Sequence, residues 1–196
     1  MFYRIAYLLV WLPIKIFFPT IILGRKNLPK GGMIFSCNHY SNLDVFIVGL
    51  ATFRKQRFLG KIEIFANKCL GFIARKIKVI PVNRGKTDMN AVKESIRALK
   101  NNEILTVFPE GTRNKTSEEM GEIKNGIIMF ALKAGKPIVP IAMIKRPKMF
   151  CFNKLVFGVP ISLDKFYDQK ITKEILDEGS QILTKAMQDL KAKYQK

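Results

Sequence analysis

The sequence predicts an α/β fold in which a mainly parallel central sheet is flanked by helices. Two observations support this prediction. Short apolar runs of β type alternate with segments of helical periodicity, and neither an internal repeat nor a domain linker interrupts the alternation. Strand–helix alternation is typical of α/β layers, because each crossover helix covers one face of the sheet. A chain of 196 residues is long enough for one such domain. We therefore predict one domain over residues 24–196, preceded by a distinct segment over residues 1–23.

Residues 1–23 are rich in aromatic and aliphatic side chains, but cations and prolines interrupt the apolar run. A bilayer span needs about 20 mostly apolar residues, and no small-residue cleavage site of a secretory signal follows. We predict two short helical pieces that dock at a membrane interface, with aromatic side chains at headgroup depth and cations on lipid phosphates. A helix packed on the core and a tilted span are the alternatives. The residues of this prediction are Arg4, Trp11, Lys15, Phe17, Phe18, Arg25 and Lys26.

Five apolar runs are predicted to form strands. They cover residues 33–37, 78–82, 104–108, 138–142 and 155–159. Apolar residues at helical spacing predict helices as well, over residues 88–101, 122–134 and 172–193. Asp88 is the expected N-cap of the first of these helices, and a further helix is expected to begin near Asp44. The polar stretch 112–125 is predicted to be a loop near the functional site.

The chain carries a large positive charge. It has 34 Lys and Arg against 15 Asp and Glu, a net charge of +19. A balance of this size favours an anionic partner such as membrane lipid, a phosphorylated substrate or nucleic acid, with a merely basic soluble surface as the alternative. Because the sequence has no nucleic-acid-binding motif and no interleaving of aromatic and basic residues, we expect no nucleic-acid partner.

The cysteines Cys37, Cys69 and Cys151 are widely spaced and odd in number. This pattern fits neither a disulfide framework nor a CxxC metal site, and it favours a reducing, cytosolic compartment. With one histidine in the chain, a zinc site would need an unusual set of ligands. We therefore predict no bound metal.

The segment 38–44 reads Asn-His-Tyr-Ser-Asn-Leu-Asp and places His39 five residues before Asp44. A neutral imidazole is available as a base at cellular pH, and a carboxylate at its other ring nitrogen holds it in one tautomer. Such a pair can take the proton of a hydroxyl that attacks a thioester. A structural histidine is one alternative, and a capping role for Asp44, which lies three residues after Ser41, is another.

A second segment, residues 108–113, reads Phe-Pro-Glu-Gly-Thr-Arg and follows a predicted strand. Gly111 permits a tight turn, and Arg113 can offer a phosphate a planar two-point contact. Glu110 can hold Arg113 or contact a bound substrate. We take Glu110, Gly111, Thr112 and Arg113 as candidate substrate-binding residues; an exposed turn with a surface ion pair is the alternative.

These two segments resemble the motifs N-H-x-x-x-x-D and F-P-E-G-T-R of the glycerolipid acyltransferases, the family of 1-acylglycerol-3-phosphate acyltransferase. The resemblance spans residues 24–165 and implies that His39 and Asp44 are catalytic. It also implies direct acyl transfer, without an acyl-enzyme on Cys37, although a strand would place Cys37 on the same face as His39.

Three shorter segments extend the resemblance. Residues 81–84, Pro-Val-Asn-Arg, are similar to a motif whose arginine contacts the acceptor phosphate, which implies this role for Arg84. Residues 60–63 are similar to a segment in which a lysine assists, here Lys61. Residues 138–141 are similar to an apolar motif that shapes the site floor. Asn83 and Asn114 stand where the family often has Asp and Ser, which leaves the preferred headgroup open.

From the N-terminal segment, the charge and the resemblance together, we predict a monotopic enzyme that binds anionic lipid on the cytoplasmic face of a membrane, the cell membrane of a bacterium. It would move a fatty acyl group from acyl-CoA or acyl-acyl-carrier protein to the sn-2 hydroxyl of lysophosphatidate, giving phosphatidate. The thioester carries its own activation, so no cofactor is expected. One alternative is an acyltransferase that uses another lysophospholipid or glycerol 3-phosphate. A peripheral protein that binds anionic lipid without chemistry is the non-enzymatic alternative.

Overall fold

The computed structural model describes residues 11–83, 88–114 and 120–195. Its strands are β1 (Thr20–Leu23), β2 (Met33–Cys37), β3 (Gln56–Lys61), β4 (Ile80–Val82), β5 (Ile104–Val107), β6 (Ile138–Met143) and β7 (Asn153–Phe157). From residue 43 onward its α-helices are α1 (Leu43–Leu50), α2 (Lys68–Lys76), α3 (Met89–Lys100), α4 (Gly126–Ala134) and α5 (Lys173–Gln195). Short 3₁₀ segments cover Arg25–Asn27, Ile62–Ala66 and Asp164–Phe166, and residues 11–17 are helical.

The strands form one sheet in the order β1-β7-β6-β2-β5-β3-β4. Neighbouring strands are parallel throughout, except that β6 and β7 are antiparallel. The prediction of an α/β fold with a mainly parallel sheet is therefore confirmed. The edge at which β2, β5, β3 and β6 end is called the carboxyl edge below, and the opposite edge is called the amino edge.

Both faces of the sheet are covered by apolar side chains. Successive residues of a strand point to opposite faces, so Ile34 packs in a cluster with Leu99 of α3 and Ile128 of α4. Phe35 packs in a second cluster with Ile47 of α1. Burial on both faces explains why the central strands appear in the sequence as continuous apolar runs rather than alternating ones.

Most predicted elements are present, with shifted bounds. Strand β4 begins at Ile80 rather than at Lys78, because Lys78 adopts a left-handed conformation with φ 58°. Strand β7 begins two residues earlier than predicted, at Asn153. The predicted N-cap is confirmed, since the Asp88 side chain accepts hydrogen bonds from two N–H groups at the start of α3. The helix expected near Asp44 is α1. Strands β1 and β3 and helix α2 were not predicted.

The prediction that residues 1–23 are helical is wrong for the last four of them. Thr20–Leu23 form β1, which pairs with β7 at the end of the sheet. Phe18, predicted at headgroup depth, packs against the core cluster that contains Phe35. Arg4 lies outside the described residues. Within the described ranges, no helix combines the length and apolarity needed to cross a bilayer.

Candidate active site

The turn after β2 is fastened to the neighbouring strand by Asn38. Its side-chain amide donates to the carbonyl of Met143 at 3.0 Å and accepts the N–H of the same residue at 2.8 Å. Two hydrogen bonds between a buried amide and one backbone position fix the direction in which the chain leaves the sheet. His39, the next residue, is therefore held at a defined position on the carboxyl edge.

His39 and Asp44 form a hydrogen-bonded pair in that turn. Nδ1 of His39 lies 2.9 Å from Oδ2 of Asp44. The same oxygen accepts the N–H groups of Tyr40 and Ser41, at 2.6 and 2.7 Å. Asp44 is fully buried in the first turn of α1. The carboxylate thus holds the backbone of the turn as well as the imidazole. A capping role and a catalytic role for Asp44 are therefore compatible.

The imidazole is held on its face as well as at its edge. The ring of Phe108 stacks on His39 with centroids 4.1 Å apart and an interplanar angle of 23°. Because an ionised carboxylate can only accept a hydrogen bond, the contact with Asp44 favours the tautomer with its proton on Nδ1, and the lone pair on Nε2 can then accept a proton. The His39 side chain is 13% exposed. A small opening of this kind allows contact with a substrate while most of the ring is shielded from water.

Glu110 joins the histidine turn to the loop after β5. One of its carboxylate oxygens accepts the N–H of His39 at 3.1 Å, and the other accepts the N–H of Gly121 at 3.1 Å. The N–H of Asn114 donates to the carbonyl of His39 at 2.8 Å. The two motifs, about 70 residues apart in the chain, therefore form one hydrogen-bonded unit.

Among the contacts of the described residues, Arg113 is joined to Asn42 rather than to Glu110. The guanidinium of Arg113 donates instead to Oδ1 of Asn42 at 3.1 Å. This contact places the cation of Arg113 beside the start of α1. Asn42, its partner, belongs to the same turn as Asp44.

A cleft of about 510 Å³ opens beside this unit. It is lined by Glu110, Thr112, Arg113, Asn114, Gly121, Glu122 and Lys124. Gly111 has φ 71°, and a Cβ added there would lie 2.9 Å from Nζ of Lys124. The left-handed conformation of Gly111 therefore favours glycine in this turn, whereas a Cβ would only displace the flexible end of the Lys124 side chain. Sequence reasoning did not assign Lys124 to the site, although a lysine followed by Asn-Gly just before a helix was a visible signal.

Tyr40 is braced by a buried lysine that sequence reasoning also missed. Nζ of Lys191, in the last turns of α5, donates to the hydroxyl of Tyr40 at 2.7 Å. Lys191 is 7% exposed. The helix predicted over residues 172–193 thus carries a cation that contacts the turn next to His39.

A family model described as Acyltransferase matches residues 20–144. The chain belongs to the acyltransferase family. Over 183 residues it is 31% identical to the 1-acyl-sn-glycerol-3-phosphate acyltransferase of Bacillus subtilis (strain 168), with 88% of each chain covered. Over 146 residues it is 30% identical to the chloroplastic 1-acyl-sn-glycerol-3-phosphate acyltransferase BAT2 of Brassica napus. That match covers 71% of this chain and 42% of the plant protein.

The fold also has a solved counterpart. The crystal structure of the 1-acyl-sn-glycerophosphate (LPA) acyltransferase PlsC from Thermotoga maritima matches with a TM-score of 0.69. The match covers 98% of this chain and 78% of that chain at 24% identity. At this identity the likeness shows a shared fold, and the roles of individual residues stay predictions.

The remaining predicted binding residues of this acyltransferase are Lys61 and Arg84. Lys61 ends β3 at the carboxyl edge, two strands from β2, and is exposed. It is not among the residues that line the cleft. Arg84 lies outside the described residues. The cleft contains Glu110, Thr112 and Arg113, and the binding roles of all these residues stay predictions.

Cys37 is poorly suited to act as a nucleophile in this acyltransferase. The residue is fully buried in the cluster around Phe35. Burial raises the pKa of the Cys37 thiol well above its usual value, and the nearby carboxylate of Asp44 raises it further. A thiol acts as a nucleophile in its thiolate form, which this environment disfavours.

Among the described residues, no group of three or more His, Cys, Asp or Glu side chains is arranged to hold a metal ion. The expectation that this acyltransferase needs no metal stays a prediction.

Proposed function

We propose that this acyltransferase moves a fatty acyl group from an acyl thioester to the sn-2 hydroxyl of lysophosphatidate and so forms phosphatidate. The observation that carries the proposal is the His39–Asp44 pair, joined at 2.9 Å beside a cleft lined by Arg113 and Lys124. The pair supplies a base for a hydroxyl, and the cleft supplies cations for a phosphate. The relatives named above as 1-acyl-sn-glycerol-3-phosphate acyltransferases support the same choice of acceptor.

The reaction needs one proton to be moved twice. Nε2 of His39 takes the proton of the sn-2 hydroxyl while the hydroxyl oxygen attacks the thioester carbonyl. The tetrahedral intermediate then expels the thiolate, and the imidazolium returns the proton to its sulfur. Asp44 stabilises the imidazolium between the two transfers. The acyl group leaves one carrier for another, so no electron is gained or lost and no metal or nucleotide is required.

The acceptor phosphate is proposed to bind in the cleft. Arg113 offers a planar pair of N–H donors and Lys124 a point charge. Thr112 adds a hydroxyl to the same lining. Lys61, at the end of β3, and Arg84 are proposed to assist in binding the phosphate. Because Glu110 hydrogen-bonds to the backbone of His39, it positions the base relative to the phosphate.

The donor is proposed to be acyl-CoA or acyl-acyl-carrier protein, and the enzyme to lie on the cytoplasmic face of a bacterial membrane without crossing it. Support comes from helical residues 11–17, where Leu12, Ile16 and Phe17 are exposed. Lys15 stands over the ring of Trp11 at 4.5 Å. Exposed apolar and aromatic side chains next to a cation are typical of an interfacial helix.

A thiol-release assay tests the proposal. Purified enzyme is mixed with acyl-CoA and, in parallel, with lysophosphatidate, lysophosphatidylcholine, glycerol 3-phosphate or no acceptor. Free thiol and the lipid product are measured. We expect thiol release that depends on lysophosphatidate and an equal amount of phosphatidate. Release without an acceptor would indicate a thioesterase. Faster release with another acceptor would identify that compound as the preferred acceptor in place of lysophosphatidate. No release with any acceptor, from acyl-CoA or from acyl-acyl-carrier protein, would favour a lipid-binding protein without chemistry.

A further inference from the structure

Helix α2 exposes the side chains that a core helix would bury. Its buried residues are the small ones, Gly71 and Ala74. It packs chiefly against the 3₁₀ segment Ile62–Ala66 that precedes it. Gly71 is required by this contact, since a Cβ there would lie 2.7 Å from the carbonyl oxygen of Phe65. The 3₁₀ segment and α2, residues 62–76, are called the edge hairpin below.

Large apolar side chains cover the outer surface of the edge hairpin. They are between 38% and 55% exposed, and they are Ile62, Ile64, Leu70, Phe72 and Ile73. Single exposed apolar residues are ordinary on protein surfaces, but a contiguous group marks a surface that is covered in use. Each such side chain gains free energy when it leaves water.

The charge around this surface identifies what covers it. Exposed cations stand at both ends of α2, at Lys68, Arg75 and Lys76, and Lys78 follows. Glu63 is the one acid between residues 62 and 78. Apolar side chains ringed by lysine and arginine fit a bilayer that contains anionic lipid. A second copy of this chain fits less well, because two identical cationic surfaces repel each other.

The edge hairpin begins on the same side of the molecule as the histidine pair, because it follows β3 directly and β3 ends at the carboxyl edge, two strands from β2. It leads back to β4, which is parallel to β3, so its C-terminal end lies nearer to the amino edge. Helical residues 11–17 lead into β1. That strand is parallel to β7 and therefore begins at the carboxyl edge, at the other end of the sheet. The two apolar surfaces thus stand on either side of His39.

We propose that the edge hairpin is a second membrane-docking surface, which inserts Leu70, Phe72 and Ile73 into an anionic bilayer while Lys68, Arg75 and Lys76 contact lipid phosphates. With residues 11–17 at the opposite end of the edge, it sets the carboxyl edge against the membrane and brings the cleft to headgroup depth. The inference deepens the proposed function, whose acceptor is a bilayer lipid, but the docking itself needs no catalysis.

A tryptophan reporter tests insertion directly. Trp11 is the single tryptophan of the chain, so Trp11→Phe provides a dark background. Phe72→Trp places the reporter on the edge hairpin. Phe53→Trp is the matched control, because Phe53 is 81% exposed and precedes β3 at the amino edge. Both proteins are mixed with phosphatidylglycerol–phosphatidylcholine vesicles whose acyl chains are brominated.

We expect the reporter at position 72 to shift to shorter wavelength and to be quenched, while the reporter at position 53 keeps the emission of a solvent-exposed indole. Equal quenching of both reporters, or no quenching at position 72 in protein that sediments with the vesicles, would overturn the proposal.

Loss of affinity provides the second test. Phe72→Gln/Ile73→Gln is expected to weaken binding to anionic vesicles by about tenfold or more, since two apolar contacts are lost, whereas Phe53→Gln is not. Circular dichroism verifies the fold, and light scattering measures the mass. Unchanged vesicle binding by the double variant would overturn the proposal. A parent protein that is a dimer and a double variant that is a monomer would also overturn it, because this surface would then bind a second copy.

A catalytically silent background keeps the two proposals apart. In His39→Ala protein, the same loss of vesicle binding is expected from the double variant. If the inactive protein still docks through the hairpin, this inference is supported even when the thiol-release assay fails. If the enzyme is active but does not dock through the hairpin, this inference is overturned and the proposed function stands.

Discussion

The two halves of the active site differ in how firmly they are held. Residues 38–44, the base turn, contain a fully buried carboxylate oxygen that receives the imidazole and two backbone N–H groups. The described residues of the segment 108–125, called the acceptor loop, present Arg113 and Lys124 to an open cleft. Proton transfer depends on tenths of an ångström, whereas attraction of a phosphate tolerates movement. The buried hydrogen bonds described here converge on the partner of the proposed base, and substitutions should therefore act more strongly in the base turn.

Removal of the base is the largest expected effect. His39→Ala should lower kcat by about 10²–10⁴-fold, the usual contribution of a general base. Circular dichroism should be unchanged, because the Asp44 contacts to the backbone of Tyr40 and Ser41 remain. Steady-state kinetics with lysophosphatidate and acyl-CoA measures the loss. A variant that retains the parent rate would remove His39 from the mechanism.

Asp44→Asn should follow, with a fall in kcat of about 10²-fold. The amide oxygen is expected to take the position of Oδ2, because that position accepts the N–H groups of Tyr40 and Ser41, and the imidazole then keeps its proton on Nδ1. The amide carries no negative charge to stabilise the imidazolium, so the rate falls. Nitrogen-detected NMR of the single histidine checks that the tautomer is retained. Normal turnover by this variant would contradict the role assigned to Asp44.

Glu110→Gln tests the link between the two halves. Glutamine has one acceptor oxygen, so it cannot receive the N–H groups of both His39 and Gly121. We expect a loss of about 1–3 kcal/mol in the free energy of unfolding and a fall in kcat of about tenfold. Urea denaturation and kinetics measure the two effects. If stability falls and kcat does not, Glu110 braces the loop without positioning the base.

Arg113→Lys should have a smaller effect, confined to the acceptor. Lysine keeps the charge but lacks the planar pair of donors. The KM for lysophosphatidate should rise by about three- to tenfold while the KM for acyl-CoA stays unchanged. An acceptor without a phosphate is the control, and the variant should use it no worse than the parent does. A higher KM for acyl-CoA alone would assign Arg113 to the donor.

Cys37→Ser should have the smallest effect on rate, with kcat within about twofold of the parent. Burial holds the pKa of the Cys37 thiol well above its usual value, so the thiol stays protonated at neutral pH. Iodoacetamide at pH 8 should modify the exposed Cys69 and Cys151 before Cys37. Mass spectrometry of the protein during turnover is the check, and an acyl group on Cys37 would restore the covalent route.

The parts of the fold that could be predicted are those in which local sequence and burial agree. β2, β5 and β6 are apolar runs because both faces of the central sheet are covered. β3 escaped prediction because its first residue is a buried glutamine. The amide of Gln56 donates to the carbonyls of Val48 and Gly49, and its oxygen accepts the hydroxyl of Thr106. A polar residue satisfied by distant partners leaves no apolar signal.

The contact within the base turn could be predicted from the sequence, but the hydrogen bonds of the acceptor loop could not. His39 and Asp44 are five residues apart, so one turn brings them together. The contacts of Glu110 span 71 residues to His39 and 11 to Gly121. Such contacts depend on which strands are neighbours, and motif spacing does not contain that information. Helix α2 was missed because its large apolar residues face outward and its small ones face inward.

The hydrogen bond between Lys191 and Tyr40 has a consequence for how the protein is made. On the ribosome, Lys191 is synthesised 151 residues after Tyr40. The strands and helices that frame the site can assemble while translation continues, but the ammonium that steadies the ring beside His39 is missing until α5 has emerged. Nascent chains stalled before α5 would therefore carry the complete motif and lack this last support. Chemical competence is therefore expected only after α5 has emerged, well after the motif itself has been synthesised.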